Sequence, residues 1–218
     1  MNKNYQITDI KVKKNNIYRV KIYISNEFFT EIDSSIISDL DLYIGKTVSQ
    51  KILDIIQQKS KLLEAKNKAI RFLSYRPRTE CEVENKLRDN KYQLNIINDV
   101  INWLKYENLI DDREFSILWI KYQINKKPAG KIKLRNELYK KGVKREIIDN
   151  VINSFFEQDE CELSLAYKLI RKKRSSLQAK NIKLEPQKII NLLRNQGFSN
   201  PIIQQVYNEF INGENAET

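Results

Sequence analysis

Basic side chains supply most of the chemistry that this sequence offers, and they are concentrated in two runs. Between residues 121 and 145 the only acidic residue is Glu137, and between Glu162 and Glu185 there is none. The first run contains Lys121, Lys126, Lys127, Lys131, Lys133, Arg135, Lys140, Lys141, Lys144 and Arg145. The second run contains Lys168, Arg171, Lys172, Lys173, Arg174, Lys180 and Lys183. Because a local excess of positive charge attracts polyanions, both runs predict contacts with nucleic-acid phosphates or an acidic protein surface.

The composition of the whole chain favours a binding protein over an enzyme. Its 218 residues include 39 basic and 28 acidic side chains, which gives a net charge of +11, and no histidine. The lack of histidine excludes His-dependent nucleophiles and acid–base catalysis, and it removes the commonest metal ligand. The five glycines do not form a phosphate-binding glycine motif. We therefore expect no enzymatic activity, no catalytic residues, no metal and no cofactor.

Each basic run also has a purely structural interpretation. The first run could be a solvated helix face, and Arg171–Arg174 could lie at a helix C-terminus and offset its dipole. A partner-binding interpretation of the first run places the loop around Pro128 and Gly130 close to a phosphate chain. Since lysines would bind such a chain as point charges, binding should not depend on the base sequence. It should weaken steeply as the salt concentration rises.

Carboxylates and arginines at two predicted helix starts are further candidates. Asp111 and Asp112 could serve as paired carboxylates or bind Mg²⁺, but Glu114 follows at capping-box spacing, so a helix N-cap is favoured. Arg76 and Arg78 flank a proline, and they are either partner contacts or solvated side chains of a rigid turn.

Aromatic residues and cysteines complete the set of candidates. Trp103 and Trp119 have helical spacing and are predicted to pack in the core. Tyr106 and Tyr122 could stack on single-stranded bases if they are exposed. Cys81 and Cys161 are 80 residues apart, form no C-x-x-C motif and are predicted to be inert thiols.

The elements that must position these residues differ between the start and the rest of the chain. Runs rich in β-branched and aromatic residues at 5–12, 17–24 and 27–32 predict a three-stranded antiparallel meander. Asp33 is predicted to cap a short helix, and Thr47 with Gln50 is predicted to form a capping box for a longer one. From Thr47 onward the apolar residues recur with the helical period.

An internal repeat organises the helical part. Residues 85–104, 136–155 and 191–210 align without gaps, with Leu87, Leu138 and Leu193 at one shared position. Gly142 and Gly197 also coincide, at the position after a helix where a left-handed conformation favours glycine, whereas the first copy has Lys91. Each copy indicates a helix, a tight turn and a second helix, preceded by another helix. The sequence thus predicts three tandem three-helix repeats.

Several of these residues give the chain a resemblance to the RecX family of RecA regulators. The matching elements are Arg76-x-Arg78-Thr79, Val83 and Leu87, then Leu109-Ile110-Asp111-Asp112-x-x-Phe115, Pro128-x-Gly130, Leu134, Glu137-Leu138, Lys141-Gly142-Val143 and Gly197-Phe198. They span roughly residues 62 to 211. Lys91-Tyr92 departs from the usual Gly-Phe, and Ser116 stands where Ala is common. The N-terminal β segment resembles an extra domain of some longer members.

The resemblance implies a function that the residues alone do not give. It implies a mainly α-helical protein that binds the RecA recombinase and RecA–ssDNA filaments and inhibits filament growth, ATPase activity and strand exchange. Recombination, DNA repair and the SOS response would be modulated as a result. The family is not known as an enzyme. The motif residues Asp111, Asp112, Phe115, Gly130, Gly142 and Gly197 are interpreted as structural.

The combined prediction is a mainly α protein in which a small N-terminal β-rich domain precedes an elongated, curved array of three repeats. The expected boundaries are 1–60 for the β-rich domain, 61–112, 113–158 and 159–212 for the repeats, and 213–218 for a disordered tail. No signal peptide or membrane span is recognisable, so we expect a cytoplasmic protein. We also expect it to be a monomer.

Two functions remain open at this point. In the first, the array lies in the groove of a RecA–ssDNA filament, with the basic residues of the second and third repeats on DNA phosphates or acidic patches, and it bridges protomers or caps a growing end. In the second, the chain is a general module that binds single- or double-stranded nucleic acid. A carboxylate-metal nuclease is a weaker third possibility.

Overall fold

The structure is a computed structural model that describes residues 4–14, 16–158, 161–179 and 184–216. Two basic residues of the second run, Lys180 and Lys183, lie outside the described residues, as do residues 217–218 of the predicted tail. The final helix continues to Ala216 and thus extends past the boundary predicted at residue 213.

A four-stranded antiparallel sheet begins the chain. Its strands are β1 (Asn4–Lys13), β2 (Asn16–Ile24), β3 (Glu27–Asp33) and β4 (Thr47–Ser49), in the order β3-β2-β1-β4. The predicted meander is present, but the prediction of a capping box at Thr47 was wrong. Thr47 pairs with Gln6 of β1, so the helix starts only at Gln50. This pairing joins residues about 40 positions apart in the sequence, and a local capping pattern cannot reveal it.

The two faces of the sheet differ because alternate side chains point in opposite directions. One face contributes Ile7, Ile22 and Ile32 to a buried core, together with residues of α1 (Ser35–Asp39) and α2 (Gln50–Leu73). Cross-strand partners share a face, and Lys11 pairs with Lys21, which pairs with Glu31. We call the second face the open face; it carries Asp9, Lys11, Lys21, Tyr23, Phe28 and Glu31.

The short helix predicted after β3 is present, and Asp33 contributes to its start. The backbone N–H of Ser35 donates to Asp33 at 3.1 Å, so Asp33 supports the start of α1 from one residue before the cap position. Helix α2 is 24 residues long and runs through the boundary predicted between residues 60 and 61. The β-rich segment and the first repeat therefore share one helix.

Nine helices after α1 in the described residues form the three predicted repeats. The first repeat is α2 with α3 (Glu80–Asp89) and α4 (Leu94–Tyr106); the second is α5 (Asp112–Lys126), α6 (Lys131–Lys140) and α7 (Arg145–Gln158); the third is α8 (Glu162–Gln178), α9 (Pro186–Asn195) and α10 (Asn200–Ala216). The middle helices α3, α6 and α9 are each ten residues long. The repeat inferred from sequence is thus confirmed.

The turn after each middle helix has the same geometry in all three repeats. Lys91, Gly142 and Gly197 have φ values of 62°, 78° and 71°, and the next residue donates its N–H to the carbonyl of Leu87, Leu138 or Leu193. Those three leucines are fully buried. The first repeat therefore adopts the left-handed turn without glycine, at a modest conformational cost.

The chain divides into two compact units. Unit 1 contains the sheet and most of the first repeat, and it comprises Met1–Arg76 and Val83–Leu109. Unit 2 comprises Pro77–Glu82 and Ile110–Thr218, so it holds the second and third repeats with the first turn of α3. One core cluster that includes Ile120, Leu134, Leu138, Leu165 and Leu193 runs through unit 2. The basic runs both belong to this unit.

Candidate partner-binding surface

Some side chains of the first basic run are exposed, and others make contacts within the protein. Lys126, Lys127, Lys140 and Lys144 are exposed, and so is Arg145, whose side chain is 88% accessible although it lies 3.5 Å from Asp149. Lys126 ends α5, and Lys127 caps it, so both also face the negative end of the helix dipole. These five cations are available to a partner of unit 2.

Four more cations of the run are half-buried, namely Lys131, Lys133, Arg135 and Lys141, and the tenth, Lys121, is exposed and makes contacts within the chain. The Lys133 ammonium donates to the Gln196 side chain at 2.9 Å, and Arg135 pairs with Asp149 at 2.9 Å. Lys131 lies 5.3 Å above the Phe156 ring. Lysines with such neighbours are restrained by the fold, so we assign them a structural role first.

Of these four cations, Lys141 makes the most contacts within the protein. Its ammonium lies 4.1 Å from the centre of the Trp119 ring and 3.6 Å from Glu82, and its side chain is 19% exposed. Its backbone carbonyl accepts the Thr79 hydroxyl at 2.7 Å. A cation over an indole that also pairs with a carboxylate is a stable packing arrangement. Lys141 thus fixes the first turn of α3 against α5 and α6 within unit 2.

The loop at Pro128–Gly130 is closed, in contrast to the expectation that it approaches a phosphate chain. All three residues are buried. A Cβ at Gly130 would overlap the backbone of Gly197 and Phe198, and the Gly130 N–H donates to the Gln196 carbonyl at 2.9 Å. Glycine is needed here because the second repeat packs against the turn of the third. Glycine is also needed at position 142, because a Cβ there would overlap Cys81.

Five cations of the second basic run lie on α8 (Glu162–Gln178). Lys168 and the four residues Arg171–Arg174 are all exposed, and no acidic residue occurs between Glu162 and the helix end at Gln178. The helix C-terminus interpretation was wrong, because α8 continues beyond Arg174 and its last turn contains no basic residue. Their charge is therefore not offset by the end of their own helix.

Helix α8 is held in place by contacts that residues in its first half make. Burial raises the pKa of Tyr167 to about 12, and its hydrogen bond to Glu209 of α10 adds to the rise. Glu162, buried at the start of α8, accepts the backbone N–H of Lys131 at 3.1 Å and of Ser199 at 3.3 Å. These contacts within unit 2 orient α8.

The acidic pair is a structural cap. Asp111 accepts the backbone N–H groups of Arg113 and Glu114 at 2.7 and 3.1 Å, as an N-cap residue does. Asp112 accepts the backbone N–H of Glu80 at 2.8 Å. Within the described ranges there is no cluster of three or more acidic residues or cysteines that could hold a metal ion.

The remaining candidates are distributed over both units. Arg76 is exposed and Arg78 half-buried in the segment between α2 and α3, and each makes contacts within the chain. Trp103 is half-buried beneath Lys66, whose ammonium lies 4.4 Å from its ring centre. Tyr106 is 84% exposed.

Tyr122 extends an aromatic row along α5. Its ring lies 6.1 Å from that of Trp119, which in turn stacks on the buried Phe115 at 6.1 Å. Tyr122 is 57% exposed and Leu118, one turn before it, is 50% exposed. Sequence reasoning did not select Leu118; the helical spacing of four residues from Tyr122 was the available signal.

The chain is similar to proteins named RecX along most of its length. Two sequence models match it, "RecX, first three-helix domain" over residues 65–104 and "RecX, second three-helix domain" over residues 111–152. The chain is 32% identical over 206 residues to "Regulatory protein RecX" of Listeria monocytogenes serovar 1/2a, which covers 94% of this chain and 75% of the relative. It is 30% identical over 206 residues to the protein of that name in Clostridioides difficile strain 630, covering 94% and 96%.

Solved structures give the same result at the level of the fold. "Crystal structure of regulatory protein RecX" has a TM-score of 0.75 at 24% identity and covers 94% of this chain and 99% of the other. The RecX structure from Lactobacillus salivarius has a TM-score of 0.59 at 25% identity and covers 68% and 95%. In the described part of the chain, no helix is long and apolar enough to cross a membrane. The chain belongs to the RecX family of regulatory proteins.

Proposed function

We propose that the protein binds the RecA recombinase and RecA–ssDNA filaments in the cytoplasm, and that it inhibits filament extension, ATPase activity and strand exchange. The observation that carries this proposal is family membership over almost the whole chain, including 96% of the Clostridioides difficile relative. A regulator of recombination in turn modulates DNA repair and the SOS response. The regulatory role requires no catalytic group of its own.

The contact surface in this proposal consists of the exposed cations of unit 2. Lys126, Lys127, Lys140 and Lys144 from the second repeat and Arg171–Arg174 from the third would face filament phosphates or acidic side chains of RecA. Residues 113–160 carry eleven basic and seven acidic side chains, and residues 161–218 carry nine and five. Eight of the eleven net charges thus lie in these two repeats, which supports an electrostatic contact there. Bridging of adjacent protomers or capping of a growing end would then stop subunit addition.

The test measures RecA strand exchange and its ssDNA-dependent ATPase activity with substoichiometric amounts of this protein. We expect inhibition that weakens as salt rises, because binding releases counterions and this release is less favourable at higher salt concentration. Unchanged RecA activity at every salt concentration would contradict the proposal.

A general nucleic-acid-binding module is the second candidate, and the exposed cations of α8 are the observation that favours it. Competition with excess protein-free ssDNA separates the two. If free DNA abolishes inhibition and RecA without DNA is not captured by the protein, competition for DNA suffices. Capture of RecA in the absence of DNA would establish a direct protein contact.

A further inference from the structure

The open face of the N-terminal sheet carries like charges at directly opposed positions. Lys11 of β1 and Lys21 of β2 are cross-strand partners, and such a pair is unfavourable unless an anion lies between or above them. Lys13 and Lys14 follow at the end of β1, and both are exposed. The sheet therefore concentrates four lysines at one end of a single hairpin.

The acidic residues of this face neutralise only part of that charge. Asp9 pairs with Lys11 at 2.8 Å. Glu31 is shared by Arg19 at 2.9 Å and Lys13 at 3.1 Å. Burial alone would raise the pKa of Glu31, but its hydrogen bonds to Arg19 and Lys13 outweigh burial and lower it. Among the described residues, no carboxylate lies within 4.0 Å of the Lys14 or Lys21 ammonium groups, so these two charges are available to a ligand.

Aromatic rings lie directly beside these lysines. Tyr23 and Phe28 form an edge-to-face pair with ring centres 5.9 Å apart, and Phe28 is 57% exposed. Lys11 lies 4.9 Å above the Tyr23 ring. A depression with a volume of about 420 Å³ is lined by Lys11, Lys13, Lys14, Lys21, Val12 and Tyr23. The surface thus combines cations for a backbone with exposed rings for flat apolar groups.

We propose that this open face is a second binding site of the protein, and that its ligand is single-stranded nucleic acid. The lysines Lys13, Lys14 and Lys21 contact consecutive phosphates, and a base stacks on the exposed ring of Phe28 beside Tyr23. Phosphates alone would need only the lysines, and an acidic peptide would leave the exposed ring of Phe28 unused. Both features together fit a strand with unpaired bases. The site lies within unit 1 and does not depend on RecA.

The first test compares two charge-reversal variants of the full-length protein. Lys14→Glu/Lys21→Glu alters the open face, while Lys51→Glu/Lys61→Glu changes the net charge equally at two exposed positions of α2. Anisotropy of a labelled oligothymidine of about eight nucleotides gives the affinity as a function of salt. Loss of two phosphate contacts should reduce the slope of log affinity against log salt by about 1.4. Equal slopes for the two variants would overturn the proposal.

The second test locates the bases. A bromodeoxyuridine oligonucleotide should crosslink under ultraviolet light to Tyr23 or Phe28, identified by mass spectrometry, and Phe28→Ala should weaken binding by at least about fivefold. Crosslinks confined to residues 110–216 would overturn the proposal. So would a lowered salt slope with no crosslink in the sheet and no effect of Phe28→Ala, because the lysines would then contact phosphates without any base stacking on the face. Inhibition of RecA by Lys14→Glu/Lys21→Glu is measured separately and reports on the proposed function.

Discussion

Two adjacent lysines provide a sharp test of how the basic run is divided. Lys140 is exposed at the last turn of α6, and Lys141 is half-buried between Trp119 and Glu82. The substitutions Lys140→Met and Lys141→Met remove the same charge and keep a side chain of similar length. They differ only in the contacts that the charge makes, so any difference between them reports on those contacts.

The expected loss for Lys141→Met follows from the two interactions of its ammonium. A cation 4.1 Å from an indole centre and largely shielded from water contributes about 1 kcal/mol. The pair with Glu82 at 3.6 Å, with both side chains roughly one-fifth exposed, contributes up to about 1 kcal/mol. The sum is about 2 kcal/mol. For a protein of this size that corresponds to a decrease in Tm of about 4–8 °C. Lys140→Met should change the free energy of unfolding by no more than about 0.5 kcal/mol.

Thermal unfolding followed by circular dichroism at equal protein concentration measures both variants. The reasoning predicts a lower Tm for Lys141→Met and an almost unchanged Tm for Lys140→Met. For DNA or RecA binding at a temperature where both are folded, it predicts the larger loss for Lys140→Met. Equal Tm values for the two variants would refute the division into structural and available lysines.

Further predictions concern a glycine, a tyrosine and a helix cap. Gly130→Ala should cost more than about 2 kcal/mol by urea denaturation because its Cβ would overlap the turn of the third repeat. Gly45→Ala is the control with nothing near its Cβ but a φ of 93°, and it should cost only about 1–2 kcal/mol; equal losses would contradict the packing argument. In a spectrophotometric titration, Tyr167 should ionise near pH 12, above the ordinary value of 10.0. Because its pKa is raised by folding, its stabilisation is complete below pH 10 and is lost towards pH 12, and Tyr167→Phe should remove that loss. Asp111→Ala should lower stability by about 1 kcal/mol, and Mg²⁺ should not change the Tm of the wild-type protein; a large Mg²⁺ shift would favour the metal-binding alternative.

The sequence predicted those parts of the fold that depend on local or repeated patterns. The cap predicted from the spacing of Asp111 and Glu114 is present, with the Glu114 N–H donating to the Asp111 carboxylate at 3.1 Å. The left-handed turn at Lys91, Gly142 and Gly197 was predicted from their alignment, and the structure confirms it. Local hydrogen bonds and conformational preferences are encoded within a few residues, so one sequence suffices to recognise them.

Features that depend on residues far apart in the sequence could not be predicted from it. Strand β4 exists because Thr47–Ser49 pairs with the start of β1, and three residues with a capping pattern do not indicate such pairing. Lys140 is exposed whereas Lys141 is half-buried, and this difference depends on Trp119, which is about 20 positions away in the sequence. The open face was missed because Lys11, Lys21 and Tyr23 become neighbours only through strand register; the alternation in β2 was the one signal for it.

The most direct test of the central claim is RecA inhibition by variants that lose equal charge at different places. Lys126→Glu/Lys127→Glu and Lys172→Glu/Lys173→Glu alter the exposed cations of unit 2, and Lys51→Glu/Lys61→Glu is the matched control in unit 1. The ssDNA-dependent ATPase activity of RecA is measured as each protein is titrated at one salt concentration. We predict that the control inhibits like the wild-type protein and that both unit 2 variants need at least about tenfold more protein, since two lost contacts cost about 1.4 kcal/mol or more. Equal inhibition by all three variants would contradict the assignment of unit 2 as the surface that binds RecA filaments.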